Sequence, residues 1–574
     1  MKQSKFLSAA LLAAAVAIAA PPAHAVTVEV LGAGSSAIWQ TAALGAFAEA
    51  GAGAFHYTIK GSTACTVLNP NCAVLHDQRS GQILPEPGNL WVVWNAAGTK
   101  VWADLSVDSI VGNRAYFATP RNQLQVDPAT ETGSATCCVS PANAINSALW
   151  VANSTNPDQP SLPTAIYNAL NNATVTAGFT DIRPEDAKFA SCRVLNALNT
   201  ANYSGLGYGT GTTCATLIGT QIWSNVPSST AVANPVNFNI KGKDPFTEDT
   251  IKASTTLSVG ASPIVFIVNR KNTSGLGYPA LGSASITNLT IQEAQQIWNG
   301  TECDTNSFAG GPGTAVPITA WQREPMSGTM NTTEFTTFRC GNTAGTGCPV
   351  TGPGAFTNSQ EKGIVPPAQG AFNFGATGPD PLNLPCATVD GIAGTRQRAV
   401  GTGDMVNGVN GQTDSIGYIF WGFGNVSKIS NTNNYGYLTL SGVDPIQTTY
   451  DTGVLPACAN PCPATPGASF PNLRNGTYKA WSLLRVVTDA SGANLTQVKE
   501  LVAAIEANIN TSVPDFVPYA AGNGDPGLKL YRSHYLQSSV APNNGLSSEK
   551  EAGGDMGGCI ENVGPAPGIL SCHQ

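Results

Sequence analysis

Charge is what this chain has least of. Only 11% of its 574 residues are Asp, Glu, Lys or Arg, under half of the roughly 25% usual in soluble domains. The 28 basic residues never gather into a run, and 36 acidic ones leave a net charge of −8. Such a surface does not track a phosphodiester backbone, which excludes nucleic-acid binding. Histidine is scarce too, five in all. No Cys-x-x-Cys element pairs with a second one, so a zinc centre lacks its ligands. Past the N-terminal segment no apolar stretch reaches the about 18–20 residues that a membrane helix needs. No Gly-x-Ser-x-Gly elbow stands near a suitable His, and no enzyme is expected. The acidic pairs Glu185/Asp186 and Asp104/Asp108 read as the first turn of a helix and the outward face of a strand.

What is abundant is glycine (61), proline (39) and cysteine (14). Lys2 and Lys5 precede an apolar run from Phe6 to Ala20, and Ala23 and Ala25 end the segment in a small-x-small pattern. Residues 1–25 therefore read as a secretory signal peptide, and the protein as periplasmic or secreted. An even number of cysteines in an oxidising compartment implies a disulfide framework. The local pairs expected are Cys65–Cys72, Cys192–Cys214, Cys458–Cys462 and Cys559–Cys572. Cys303, Cys340, Cys348 and Cys386 are expected to pair among themselves, while adjacent Cys137 and Cys138 either bond each other or act separately.

Two textures alternate along the chain. Gly/Thr/Asn/Pro-rich blocks at about 64–88, 128–162, 199–250, 302–316, 340–400 and 452–475 read as long loops. Between them lie ordered segments. Val26–Leu31, Leu90–Trp94, Lys100–Phe117, Pro263–Val268, Val316–Trp321, Ile416–Trp421 and Trp481–Thr488 read as strands. Ala37–Ala50, Ala165–Asn172, Thr290–Trp298, Ser327–Phe338 and Leu495–Ile509 read as helices. The alternation predicts an α/β fold with parallel sheets.

Small polar residues mark the strand-to-helix junctions. Gly34-Ser35-Ser36 precedes a helix, and Gly61-Ser62-Thr63 follows the strand Phe55–Ile59. Asp181 ends a strand in Thr180-Asp181-Ile182-Arg183-Pro184, and Arg323 opens Arg323-Glu324-Pro325-Met326-Ser327-Gly328-Thr329. A helix N-terminus carries unpaired N–H groups and about half a positive charge. Several such ends meeting at one point, with hydroxyl donors and one guanidinium, make a site for a small oxyanion.

These elements, in this order, resemble the phosphate-binding periplasmic proteins of bacterial ABC transporters. Leu289-Thr290…Trp298-Asn299-Gly300 and Asp414-Ser415-Ile416-Gly417-Tyr418 add to the likeness. The resemblance implies a two-lobed Venus-flytrap fold of type II with inorganic phosphate in the interlobe cleft. It places Ser36, Ser62, Asp181, Arg323, Ser327, Gly328 and Thr329 at the ligand, with no cofactor and no metal. Lobe I would span 26–260, with insertions at about 64–164 and 190–250. Lobe II would span 261–425, and 426–574 would return to lobe I with a disulfide-rich extension. The implied role is an extracytoplasmic solute-binding protein, with an ABC transporter permease as partner. The alternative is an extracellular structural or adhesive protein that reuses the fold. One departure stands out. The family carries Asp two residues after the Arg to orient the guanidinium, and here that position is Pro325.

Overall fold

The structure, a computed structural model, describes residues 25–59, 73–76, 86–127, 161–182, 254–277, 286–308, 310–323, 327–338, 394–399, 401–422, 435–446, 467, 469–509, 516–528, 530–532, 558–561 and 570–572. In chain order the first part comprises β1 (Thr27–Gly34), α1 (Trp39–Ala50), β2 (Phe55–Ile59), β3 (Val74–His76), β4 (Glu86–Pro87), β5 (Asn89–Trp94), β6 (Lys100–Ser106), α2 (Ser109–Phe117), β7 (Gln123–Gln125), α3 (Thr164–Leu170) and β8 (Ala177–Thr180). The second comprises β9 (Ser254–Asn269), β10 (Asn288–Leu289), α4 (Ile291–Trp298), β11 (Thr319–Arg323), α5 (Gly328–Thr333), β12 (Thr395–Ala399), α6 (Thr402–Gly411), β13 (Ser415–Phe420) and β14 (Tyr435–Leu440). Then come β15 (Trp481–Asp489), α7 (Ala493–Ile509), β16 (Val517–Pro518), β17 (Leu530–Arg532), β18 (Gly558–Glu561) and β19 (Leu570–Cys572).

One mixed sheet organises the molecule, in the order β12-β11-β13-β9-β15-β8-β1-β6-β5-β2. The parallel core expected from the strand–helix alternation is present, since β1 runs parallel to β6 and β8, and β11 parallel to β12 and β13. The sheet is nonetheless mixed: β2, β5 and β6 pair antiparallel at one edge, and so do β9 and β15 at its centre. Between them, β9 and β15 join the two parallel halves. The apolar run Pro263–Val268 is the distal part of a 16-residue strand. Its first half, Ser254–Pro263, pairs with β15, and its second half, Ile264–Asn269, lies between β13 and β14. A run of Ile, Val and Phe suits this place, because central strands of such sheets are covered on both faces.

The two halves form two α/β lobes. In the first lobe, one sheet face packs Leu31, Ala33, Val101 and Leu105 against Ile110, Tyr116 and Ile166, from α2 and α3. Its other face packs Val30, Trp91 and Phe179 against Leu44 of α1 and Leu501 and Ile505 of α7. In the second lobe, Ile267 and Ile419 meet Met405 and Val409 of α6. On the opposite face Phe266, Ile416 and Tyr418 meet Ile297 and Trp298 of α4. β5 and β6 lie within the first lobe's sheet, with β6 beside β1.

Several expected elements change at their ends. Lys100–Phe117 is not one strand: β6 stops at Ser106 and α2 begins at Ser109. The acidic pair assigned to an outward strand face is buried instead, Asp104 at 0% exposure and Asp108 at 6%. Α1 starts at Trp39, two residues later than expected. Ser327–Phe338 begins as α5 and continues as a π-helical turn, Glu334–Phe338. Α4 begins as expected, with a capping box in which Glu293 N–H donates to Thr290 Oγ1 and Thr290 N–H to the Glu293 carboxylate. No helix among the described residues is long and apolar enough to cross a membrane. Cys303 is disulfide-bonded, and β18 and β19 place Cys559 directly opposite Cys572. The other cysteines lie outside the described residues.

Candidate functional site

The C-terminal ends of β1, β8 and β11 and the N-terminal end of α2 converge between the lobes. β1 ends at Gly34, whose φ of +144° few residues but glycine adopt. A Cβ there would lie 1.9 Å from the Phe179 carbonyl oxygen. That approach lets Ser35 N–H donate to the Phe179 carbonyl at 2.8 Å, tying the β1 turn to β8 two residues before Asp181. Asp181 leaves β8 at 1% exposure. Its carbonyl accepts from Ser482 Oγ of β15 at 2.7 Å, which fixes the backbone where the two lobes join.

Arg323 ends β11 and is held from two sides. Its backbone N–H donates to Tyr418 Oη at 3.0 Å. The Tyr418 ring stands edge-on to Trp298 and Phe338, at 5.6 and 5.5 Å between centroids. Trp298 Nε1 donates to the Trp321 carbonyl at 3.0 Å. An aromatic cluster in the second lobe thus positions the strand end that carries the guanidinium. Beyond it, Ser327 Oγ accepts from Met330 N–H at 3.3 Å and caps α5.

The side chains form a buried ring between the two lobes. Arg323 Nη2 donates to Asp108 Oδ1 at 2.9 Å, and Arg323 Nη1 to Thr329 Oγ1 at 3.3 Å. Thr329 Oγ1 donates to Asp181 Oδ2 at 3.3 Å. Ser109 Oγ donates to Asp181 Oδ1, and Ser109 is the neighbour of Asp108. Gly328 presses on the same carboxylate: a Cβ there would lie 1.6 Å from Asp181 Oδ1. Asn113, one turn into α2, donates to the Ser109 carbonyl at 2.8 Å and to Thr180 Oγ1 at 3.1 Å, locking α2 to β8. Burial pushes the Asp181 carboxyl above its ordinary range. The Ser109 hydrogen bond, a backbone hydrogen bond, the Arg323 charge and the Ser35 hydroxyl oppose that rise.

Of the residues named from sequence, Asp181, Arg323, Gly328 and Thr329 meet at one point. Ser327 is buried beside them and serves as the cap. Ser36 belongs to the first turn, but its hydroxyl faces Thr402 Oγ1 at the start of α6, 2.9 Å away; its neighbour Ser35 is the one near Asp181. Ser62 lies outside the described residues. Sequence reasoning missed Asp108 and Ser109. Their signal was a Val-Asp-Ser junction after a strand, the same strand–polar–helix grammar as the other three. It was hidden by the reading of Lys100–Phe117 as continuous β. Asp108 supplies Arg323 with a carboxylate partner from the opposite lobe.

No protein-family profile and no curated protein matches the chain. Solved structures do. A putative phosphate ABC transporter substrate-binding protein with bound phosphate from Clostridium perfringens is 16% identical, covering 45% of this chain and 71% of that one, with a TM-score of 0.25. A possible phosphate-binding protein from Planctomyces limnophilus is 14% identical over 46% of this chain and 68% of its own, with a TM-score of 0.22. A phosphate-binding protein from Stenotrophomonas maltophilia is 13% identical over 63% and 75%, with a TM-score of 0.28.

Proposed function

We propose that the chain is an extracytoplasmic solute-binding protein that takes inorganic phosphate between its lobes and delivers it to an ABC transporter permease. The observation that carries this reading is the buried meeting of Arg323 and Thr329 from one lobe with Asp181, Ser109 and Ser35 from the other. A guanidinium and hydroxyl donors suit an oxyanion. A buried carboxylate among them suits an oxyanion that carries a proton. Ionised Asp181 only accepts, so a P–OH donates to it in a charge-assisted bond. A fully ionised sulfate would set two lone pairs and two negative charges face to face.

Calorimetric titration with phosphate, arsenate and sulfate tests the reading. Phosphate binds, arsenate competes, and sulfate is rejected; sites built on a substrate hydrogen discriminate by up to about 10⁴–10⁵. Asp181→Asn retains much of the phosphate affinity and admits sulfate, because the amide N–H can donate to an unprotonated oxygen. Sulfate exclusion unchanged in Asp181→Asn would place selectivity elsewhere.

A further inference from the structure

The donors that an anion would seek already serve the chain's own carboxylates. Arg323 Nη2 is bonded to Asp108, and the Thr329 and Ser109 hydroxyls are bonded to Asp181. Asp108 and Asp181 differ in what holds them there. Asp181 is anchored by its backbone to β15 and pinned against Gly328. Asp108 sits at the N-cap of α2, in extended backbone (φ −88°, ψ 158°), and makes no side-chain capping bond. An N-cap Asp ordinarily accepts from the N–H of the second or third helical residue, here Ile110 or Val111. Its carboxylate is turned instead toward the other lobe, to a guanidinium 215 residues away in sequence. The pair is almost fully buried, at 1% and 7% side-chain exposure.

We propose that Asp108 is an internal competitor for the ligand: its carboxylate holds the position on Arg323 that an incoming oxyanion must take, and it latches the two lobes together through that pair. The proposal rests on the phosphate reading above. Binding is then an exchange. Phosphate replaces the carboxylate on Arg323, and Asp108 rotates back to cap the N-terminus of α2, where its charge is favourable at the positive end of the helix. Two bonded positions for one side chain make the exchange feasible, because neither leaves a buried charge unpaired. The same residue sets specificity. A ligand has to bind Arg323 better than a tethered carboxylate does, which excludes weakly hydrogen-bonding monoanions and carboxylates.

The experiment titrates inorganic phosphate into wild type, Asp108→Asn, Asp108→Ser and Arg323→Ala, each dialysed free of phosphate and checked by circular dichroism. Both Asn and Ser cap helices well, so a gain shared by the two does not come from a damaged α2. The expected result is phosphate binding about tenfold or more tighter in both Asp108 variants than in wild type, and loss of binding in Arg323→Ala. Small-angle scattering in phosphate-free buffer gives a second readout: the Asp108 variants expand relative to wild type and contract when phosphate is added. Equal or weaker phosphate binding in both Asp108 variants, with wild type binding, overturns the competitor role and leaves the phosphate reading intact. Failure of folded wild type and both Asp108 variants to bind phosphate removes the phosphate reading and the exchange with it.

Discussion

Asp104 isolates what burial does to a carboxylate when nothing answers it. It lies on β6 opposite Trp91 of β5 and beside Gly32 of β1, fully buried. Neither of its oxygens has a hydrogen-bond partner, and desolvation pushes its carboxyl well above the ordinary value of 3.8. Asp181, just as buried, has hydroxyls and a guanidinium about it. A group that holds its proton more tightly when folded stabilises the fold below its unfolded value, and that stability is lost as pH rises through the folded value. Asp104→Asn, which is never charged, is therefore expected to be more stable than wild type at about pH 8, with the difference shrinking toward about pH 4. Thermal unfolding of the two proteins across that range checks this; a pH-independent difference would mean that Asp104 has the same protonation in both states.

The junctions between strands and helices work because each brings a short polar residue to the strand's C-terminal end and lets a helix begin at once. Α5 shows how little room the arrangement leaves. Its first residue, Gly328, is backed by the Asp181 carboxylate, and the 1.6 Å that a Cβ would leave cannot be relieved by a rotamer change at Gly328. Gly328→Ala is expected to push the start of α5 away from Asp181 and break the Thr329–Asp181 bond, lowering phosphate affinity by about tenfold or more without changing helix content. Calorimetry with circular dichroism separates the two effects. An alanine variant that binds as wild type would show that α5 does not touch the ligand. Α2 is the complementary case, buried along its whole length from Ser109 to Phe117. It is wedged between β1, β8 and the second lobe's guanidinium, so it shows no side to solvent, and its polar residues Ser109 and Asn113 are spent on buried hydrogen bonds.

Across the molecule, β9 and β15 join the two lobes into one sheet. The disulfides expected from the even cysteine count would restrain the unfolded chain, each by roughly 2–4 kcal/mol. Reducing agent is expected to lower the melting temperature substantially, and mass spectrometry of the unreduced protein should find few free thiols among the 14 cysteines. Mostly free thiols would contradict a framework built for an oxidising compartment. Cys303 is bonded and 1% exposed in the core beside α4, so its replacement by Ser is expected to destabilise the fold.

Local pattern was enough for the elements whose period or punctuation is their own. The apolar run of β9, the capping box at Thr290 and the polar turns at Ser35, Asp181 and Ser327 are all legible along the chain, and with them four of the residues that meet in the cleft. Α2 was not. Ile110 and Val111 favour β, and a helix buried on every side has no amphipathic period to betray it. The choice between Ser35 and Ser36 was also invisible, because it depends on the turn at Gly34 and the carbonyl of Phe179. Least legible was the pairing of Asp108 with Arg323. A contact across 215 residues leaves no mark on either neighbourhood; it exists because β9 and β15 bring two lobes edge to edge. Propensity, capping and hydrophobic period act over a few residues, so they are written in the chain. Which buried charge answers which is settled by packing, and packing belongs to the whole fold.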